Sequence, residues 1–516
     1  MMRWQNAKVT ARRRVARPRL AALLIAIAAM PAPLLTTTNA AGQTFQLGLE
    51  EPMAEGAGPA TPLLFERIQA SGASIVRGVA SWREIAPEGF VEPPGFDARN
   101  PADPRYDWTA LDAFVRNAVS HGLVPLITLA GAPEWAEGSP ADRSQADREW
   151  RGAYKPSPSD LGDFAHAFAT RYDGRFPDPL NAGRALPRVR FIQVWNEPNY
   201  RGYLFPQGEV VHGRTVVAGA TRYVAMLNSA YDNIKSVLPT DVVVSAGLGP
   251  FGIRDRASQT SPLQDSDPQY FMRAMLCLTG RGPHLRALHG CHLRPRFDVF
   301  DQHPYTLAGT PTSKGISPDD GEMGNLAEIA HTLKVAVRLG HVFPAGHKRF
   351  WITEFDWWSD PPSTGSSLAP GYDTGKPLPV QARYLSESAY LMWRDGVEVL
   401  VWYLLRDAST WPGGLYLAGS TPQQDQPKPA LQAFQLPFYA FRSGRRVMVW
   451  ALAPGRRLRI ERQQGSRWVR VADMHAAAGD GHVVYGQVGR VPAGNLRAVA
   501  LDGPKRGLTS YPFPIR

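Results

Sequence analysis

From residue 41 onward, short runs of β-branched and aromatic residues alternate with longer stretches whose apolar positions recur every three to four residues, the pattern of parallel strands joined by helices. Eight strands are predicted, over residues 45–48, 74–77, 123–129, 189–195, 242–247, 297–303, 350–353 and 398–404. Between them, Leu111, Phe114, Val115 and Ala118 form one helical face that closes at Gly122, and Leu161, Phe164 and Phe168 form a second behind a Ser159 cap. Tyr223, Met226, Leu227, Ala230 and Ile234 form a third, and Leu326, Ile329, Leu333 and Val337 a fourth. This succession predicts an α/β fold, a (β/α)8 TIM barrel over residues 41–441.

After Phe441 the helical period stops. Alternating segments at 447–450, 458–460 and 468–471, separated by Gly-containing turns, predict a small C-terminal β-sandwich domain over 442–516. Within the barrel, the stretches 84–106, 131–159, 199–213 and 359–379 are long and rich in Pro, Gly and Asp, as loops walling a cleft would be.

Charge divides the chain along the same lines. Residues 1–40 hold seven Lys/Arg, no acid, and an apolar run at 20–30 that is short for a membrane span; with small residues before Ala41, this predicts a cleaved signal peptide and a secreted protein. Membrane anchoring by the same segment is the alternative, and Arg12-Arg13-Arg14 leaves the general and twin-arginine export routes both open. Removing the leader reduces the formal +11 to +4, which weakens any case for nucleic acid as a partner. Residues 442–516 carry 14 Lys/Arg against 4 Asp/Glu, whereas 41–441 carry 36 against 42. The basic domain is thus a candidate for contact with a cell surface or an acidic polysaccharide, set against the plainer reading of arginines on a solvated strand face. The two cysteines, Cys277 and Cys291, predict a disulfide in an exported protein; a metal site drawing on His284, His289 and His292 is the rival, with spacings that match no usual zinc pattern.

The chemistry sits at two strand ends. Trp195-Asn196-Glu197-Pro198-Asn199 closes the fourth predicted strand and Thr353-Glu354-Phe355 the seventh, so each delivers a glutamate to the rim where barrel enzymes keep their reactive groups. Cleaving a glycosidic bond requires one carboxylic acid to protonate the leaving oxygen and a second carboxylate to attack carbon or activate water. Asn196, just ahead of the acid, can hydrogen-bond a sugar 2-hydroxyl.

These segments resemble clan A of the glycoside hydrolases, families 39 and 5 in particular, and the resemblance covers the barrel alone. It implies a retaining reaction with Glu197 as general acid/base and Glu354 as nucleophile, and no metal or organic cofactor. It also implies sugar-binding roles for Arg77, which would hydrogen-bond the nucleophile, for His303 and Tyr305, which would contact the sugar and orient the nucleophile, and for Trp402 as a subsite floor. Trp82 and Trp135 follow the second and third strands, where flat rings suit a pyranose face, although each could equally be structural. Asp301 and Asp356 are expected to support the site or lie at the surface, not to be catalytic, and Trp357 and Trp358, like Trp82 and Trp135, could equally face a sugar or be structural. The expected activity is hydrolysis of β-glycosidic bonds in a polysaccharide, endo-acting; an exo-acting β-glycosidase on short oligosaccharides and a non-catalytic carbohydrate-binding surface protein are the alternatives. Which sugar is cut is not readable from the chain.

Overall fold

The structure is a computed structural model that describes residues 44–56, 58–139, 151–211, 214–252, 265–306, 309–360, 375–477 and 482–516. The predicted signal peptide and parts of the long loops at 131–159, 199–213 and 359–379 lie outside these residues.

Eight parallel strands close into a barrel in chain order: β1 (Gln46–Glu50), β2 (Ile75–Ser81), β3 (Val124–Ala130), β4 (Phe191–Val194), β5 (Val242–Ser245), β6 (Val299–Asp301), β7 (Arg349–Phe355) and β8 (Val397–Tyr403). Among the described residues, each strand is followed by a helix of about two turns or more: α1 (Thr61–Ser71), α2 (Thr109–Ser120), α3 (Pro158–Arg171), α4 (Ala218–Val237), α5 (Pro268–Met275), α6 (Leu326–Arg338), α7 (Leu378–Arg394) and α8 (Pro429–Gln435). The apolar stripes read from the sequence are the faces the helices bury; Leu161, Phe164 and Phe168 of α3 and Tyr223, Met226, Leu227 and Ile234 of α4 are all fully enclosed. The cap of α3 is Ser157 and not Ser159. Pro158 occupies the first helical turn, where its missing N–H costs nothing, and this sets the helix start one residue after Ser157, whose hydroxyl accepts from the Asp160 N–H.

Strand alternation sorts the barrel into layers. Ile75, Leu126, Val244, Val299, Trp351, Val399 and Val401 fill the lower interior as a separate apolar cluster. Two residues further along their strands stand Arg77, Thr128, Asp301 and Thr353, joined by Gln193 two residues beyond Phe191, in a buried polar layer beneath the barrel mouth. The intervening residues, Val76, Ile127, Ile192, Phe300, Ile352 and Trp402, face the helices.

Beyond α8, two antiparallel sheets form the sandwich. One contains β9 (Phe438–Ser443), β10 (Arg446–Leu452) and β13 (Val483–Gln487); the other contains β11 (Arg457–Gln464), β12 (Arg467–His475), β14 (Gly494–Ala500) and β15 (Phe513–Ile515). Phe438, Val449, Leu458, Ile460, Val484 and Leu496 make its core. Strand β9 spans the 441/442 position at which the charge changes. An aromatic seam fixes the sandwich on α7: Tyr390 stacks on Tyr439 (centroids 4.9 Å apart), and Trp450 meets Trp393 and Phe45. The Cys277–Cys291 disulfide is formed and staples the segment after α5.

Candidate active site

Two local departures from regular geometry bring both motif glutamates into the barrel mouth. In β7, Ile352 pairs with Leu400 but Phe355 pairs with Trp402, so one extra residue is accommodated at Thr353-Glu354. Strict alternation would turn one of the two outward. The bulge lets Thr353 join the polar layer while Glu354 reaches the mouth. At the end of β4, Trp195 and Glu197 take left-handed backbone conformations (φ 75° and 36°), which cost roughly 1–2 kcal/mol each for residues with a Cβ. Trp195 thereby swings into the helix layer, its indole N–H donating to the Tyr203 carbonyl (2.8 Å), and Asn196 and Glu197 are left facing inward.

One oxygen of Glu197 and one of Glu354 lie within 4.8 Å of each other. Arg77, from β2, binds the nucleophile candidate directly, with a guanidinium nitrogen 2.7 Å from Glu354 Oε1. The same nitrogen pairs with Glu50 at the end of β1, and the other terminal nitrogen donates to Asn196 Oδ1 (3.0 Å). Tyr305 donates its hydroxyl to Glu354 Oε2 (3.2 Å). His303 lies fully buried between the two glutamates, with Nδ1 3.1 Å from Glu197 Oε1 and Nε2 3.0 Å from the Thr353 hydroxyl, close to Asp301. Gly247 of the β5 loop makes room for that ring, since a Cβ there would come within 2.1 Å of His303 Nε2.

The electrostatics of the two glutamates differ in sign. Burial raises the pKa of Glu197, and the negative charge of Glu354 adds to this, against the opposing pull of His303. Burial acts upward on Glu354 too, but the charges of His303 and Arg77, with hydrogen bonds from Arg77 and Tyr305, outweigh it and hold the pKa below the usual carboxylate value. His303 is disfavoured as a cation by burial, yet Glu354, Asp301 and Glu197 together push it up to about 10. The site therefore holds one carboxyl poised to carry a proton beside one kept ionised.

An opposing pair of limbs in the pH–rate profile follows. For chemistry that needs Glu354 ionised and Glu197 protonated, activity is expected to be lost as pH falls through the pKa of Glu354, and lost again as pH rises through that of Glu197. His303 lowers both values, so His303→Gln is expected to move both limbs of kcat/KM to higher pH together. A profile in which only one limb moves would separate His303 from one of the glutamates.

Other sequence expectations are redistributed. Trp402 is fully buried; residues 399 and 401 of β8 point inward, so parity sends Trp402 to the helix layer, where its N–H binds Gly413 O (2.9 Å). It floors no subsite. Trp82 is likewise enclosed, stacked on Phe164 of α3 (5.6 Å) because it begins a helical turn directly after β2. Trp135 is half-buried, tied to Pro87 O (2.9 Å) and set edge-on against Trp82 and Phe96. His303, with both ring nitrogens engaged by protein, positions Glu197 and has no free face for a sugar. Trp357 packs under α7 through Ser388.

Several residues at the mouth escaped the sequence reading. Trp411, from the loop after β8, is half-buried, binds Asp356 through its N–H, and stands edge to face with Tyr305 (5.4 Å), Trp358 (4.9 Å) and Tyr403 (5.6 Å). Tyr403 is the β8 residue whose parity points inward. Tyr203 shares a hydrogen bond with the Asn196 side chain, and the negative charges of both glutamates add to burial in raising its pKa. Glu50 and Glu51, both buried, and the half-buried Glu55 form an acidic group along β1 and its loop; desolvation pushes them up to about 7, 7 and 8, with Arg77 opposing at Glu50 and the charge of Glu50 adding at Glu55.

Because these three carboxyls are raised above their unfolded values, the stability they confer is complete below about pH 4.5 and is lost as pH rises through 7 to 8. Glu55→Gln, which keeps an acceptor for the Val79 N–H, is expected to flatten the fall in Tm between pH 5 and pH 8.5. A fall of unchanged size would remove Glu55 from the account.

Among the described residues, Glu197, His303 and Glu354 form the one grouping of His, Cys, Asp and Glu tight enough for a metal ion. Within it, His303 Nδ1 faces Glu197 and Nε2 faces the Thr353 hydroxyl. His284, His289 and His292 are exposed and outside any such grouping.

No protein-family model matches the chain, and no curated protein matches it. Among solved structures, it is similar to a family 39 glycoside hydrolase from the gut symbiont Bacteroides cellulosilyticus WH2 at 17% identity and a TM-score of 0.46, covering 86% of this chain and 79% of that one. A monomeric beta-xylosidase from Caulobacter crescentus CB15 gives 16% identity and a TM-score of 0.48 over 87% and 96% of the two chains. An endo-beta-1,4-mannanase from Thermotoga petrophila gives 12% and 0.42 over 92% and 98%.

Proposed function

We propose that the chain is a secreted glycoside hydrolase that cleaves β-glycosidic bonds with retention of configuration. The observation that carries this is the pairing of Glu197 and Glu354, whose nearest oxygens are within 4.8 Å and whose pKa values are displaced in opposite directions. Retaining glycosidases need carboxyl groups about 5–5.5 Å apart; inverting ones need about 6.5–9.5 Å to admit a water.

In the first step Glu354 attacks the anomeric carbon, the glycosidic C–O bond breaks, and the leaving oxygen takes the proton of Glu197. An ester now joins Glu354 to the sugar. In the second step water attacks the same carbon, gives its proton to Glu197, and the ester C–O bond breaks to regenerate Glu354. Arg77 and Tyr305 keep the attacking carboxylate ionised and oriented. Because Arg77 donates to Asn196 Oδ1, the amide of Asn196 is fixed with its NH2 group directed to Tyr203 on one side, which leaves one N–H for the sugar 2-hydroxyl. Tyr403, on the inward parity of β8, and Trp411, edge to face with Tyr305 and Tyr403, supply the aromatic rings expected of Trp402.

The long loops that follow the strands support endo action on a polysaccharide. A panel of aryl β-glycosides and polysaccharides tests both levels of the reading. The expected result is turnover of at least one β-linked substrate, with viscosity falling well ahead of monosaccharide release. Monosaccharide release without viscosity loss would make the enzyme exo-acting, and no turnover of any β-linked substrate would remove the proposal.

A further inference from the structure

The sandwich keeps most of its acids away from one end. Of the acids described there, Glu461 pairs with Arg497, Asp473 takes Arg459 and Arg470, and Asp502 accepts the main-chain N–H groups of Arg456 and Arg457. None of them lines the shallow groove formed by Arg442, Gly444, Arg445, Arg490, Val491 and Pro492. Among the described residues, Arg445 and Arg490 have no carboxylate partner, and Arg442 is held by the main-chain oxygens of Val491 and Arg516.

The groove is built on a fixed frame. Arg445 is the second residue of the two-residue turn from β9 to β10, closed by the Ser443–Arg446 pair and permitted by Gly444 at φ 60°. Arg490 follows Gly489, whose carbonyl accepts the Val447 N–H (2.9 Å) while the Val488 N–H returns to Val447 O (2.9 Å). Val491, 5% exposed, gives the floor an apolar patch between the cationic rims.

We propose that this groove binds the carboxylate-bearing sugars of an acidic polysaccharide and so anchors the barrel to anionic glycan. Guanidinium groups match carboxylates in charge and in forked geometry, and the Val491–Pro492 floor suits the C–H face of a pyranose. No aromatic ring lines the groove, so the stacking platform that single-stranded nucleic acid uses is missing. An anionic chain is drawn to the domain with 14 basic and 4 acidic residues and away from the acidic barrel. The inference rests on the glycosidase reading only in choosing glycan over other polyanions.

Affinity electrophoresis of the full chain tests it, with polygalacturonate as probe and dextran as the neutral comparison. Polygalacturonate is expected to retard the protein and dextran not. Arg445→Glu combined with Arg490→Glu is expected to weaken retention about tenfold, the scale of one or two charge-assisted contacts. The charge-matched pair Arg467→Glu with Arg506→Glu, exposed positions outside the groove, is expected to leave retention within about twofold of the parent. Absence of retardation, equal losses in both variants, or displacement of polygalacturonate by a lower concentration of an oligodeoxynucleotide would each overturn the proposal. Binding is scored without turnover, so it is read equally in a Glu354→Gln background, and failure of the groove is distinct from failure of the glycosidase reading.

Discussion

Glu354→Gln is expected to lower kcat by on the order of 10⁴-fold or more on any β-glycoside the protein accepts, with little change in KM. The amide is nearly isosteric with the carboxylate and keeps an acceptor for Arg77 or Tyr305, so substrate binding and fold survive. What it lacks is the electron pair of an anion aimed at the anomeric carbon. Arg77 retains Glu50 as a partner, which limits the cost of leaving a buried cation beside a neutral group. Steady-state kinetics with a melting curve on the same preparation separate the two effects. A loss of less than tenfold in a folded variant would place Glu354 outside the reacting atoms.

The second large effect belongs to Glu197→Ala, expected to cost on the order of 10²–10⁴ in turnover. Unlike the first, this loss depends on the substrate. A dinitrophenyl leaving group needs no proton, so the first step survives and the glycosyl-enzyme accumulates; an alkyl or sugar leaving group needs the proton and stalls. Azide, a nucleophile that requires no general base, is expected to restore the rate on the activated substrate and to yield a β-glycosyl azide. Equal losses on good and poor leaving groups, with no azide rescue, would show that Glu197 does not transfer the proton. Removing it also frees His303 Nδ1, which makes azide entry sterically reasonable.

Much of this architecture is legible in the chain because period and parity are simple physical signals. The eight strand segments and four helical stripes are where the sequence puts them, since burial of one face leaves a repeat that survives without knowledge of the partner. Parity also makes Arg77, Asp301 and Thr353 recognisable afterwards as one polar layer, each two residues beyond an interior apolar position. Parity misleads where the backbone breaks it. The β7 bulge at Thr353-Glu354 and the left-handed Trp195 and Glu197 are set by tertiary contacts, and nothing in residue type announces them.

The aromatic residues show the limit most clearly. Trp402 and Trp82 have the composition of sugar platforms and the burial of core residues, while Trp411 supplies the ring beside Tyr305 from a loop without period. Counting inward from Val399 and Val401 would have rejected Trp402 and nominated Tyr403. Glu50 was open to the same count: Leu47 and Leu49 belong to the outer core, which leaves Glu50 to face Arg77. The basic groove was legible only as excess charge, because its rims come from turns some 45 residues apart.

The central claim is that Glu354 forms the covalent bond and Glu197 moves the proton. Incubation with a 2,4-dinitrophenyl 2-deoxy-2-fluoro-β-glycoside of an accepted sugar, followed by proteolysis and mass spectrometry, tests it most directly, because fluorine slows both steps while the activated leaving group lets the first proceed, so the ester accumulates. The account predicts one added fluoroglycosyl group, carried by the peptide that contains Glu354 and absent from the Glu354→Gln variant. A label on any other residue, or steady turnover of that reagent with inversion at the anomeric carbon and no trapped enzyme, would contradict it.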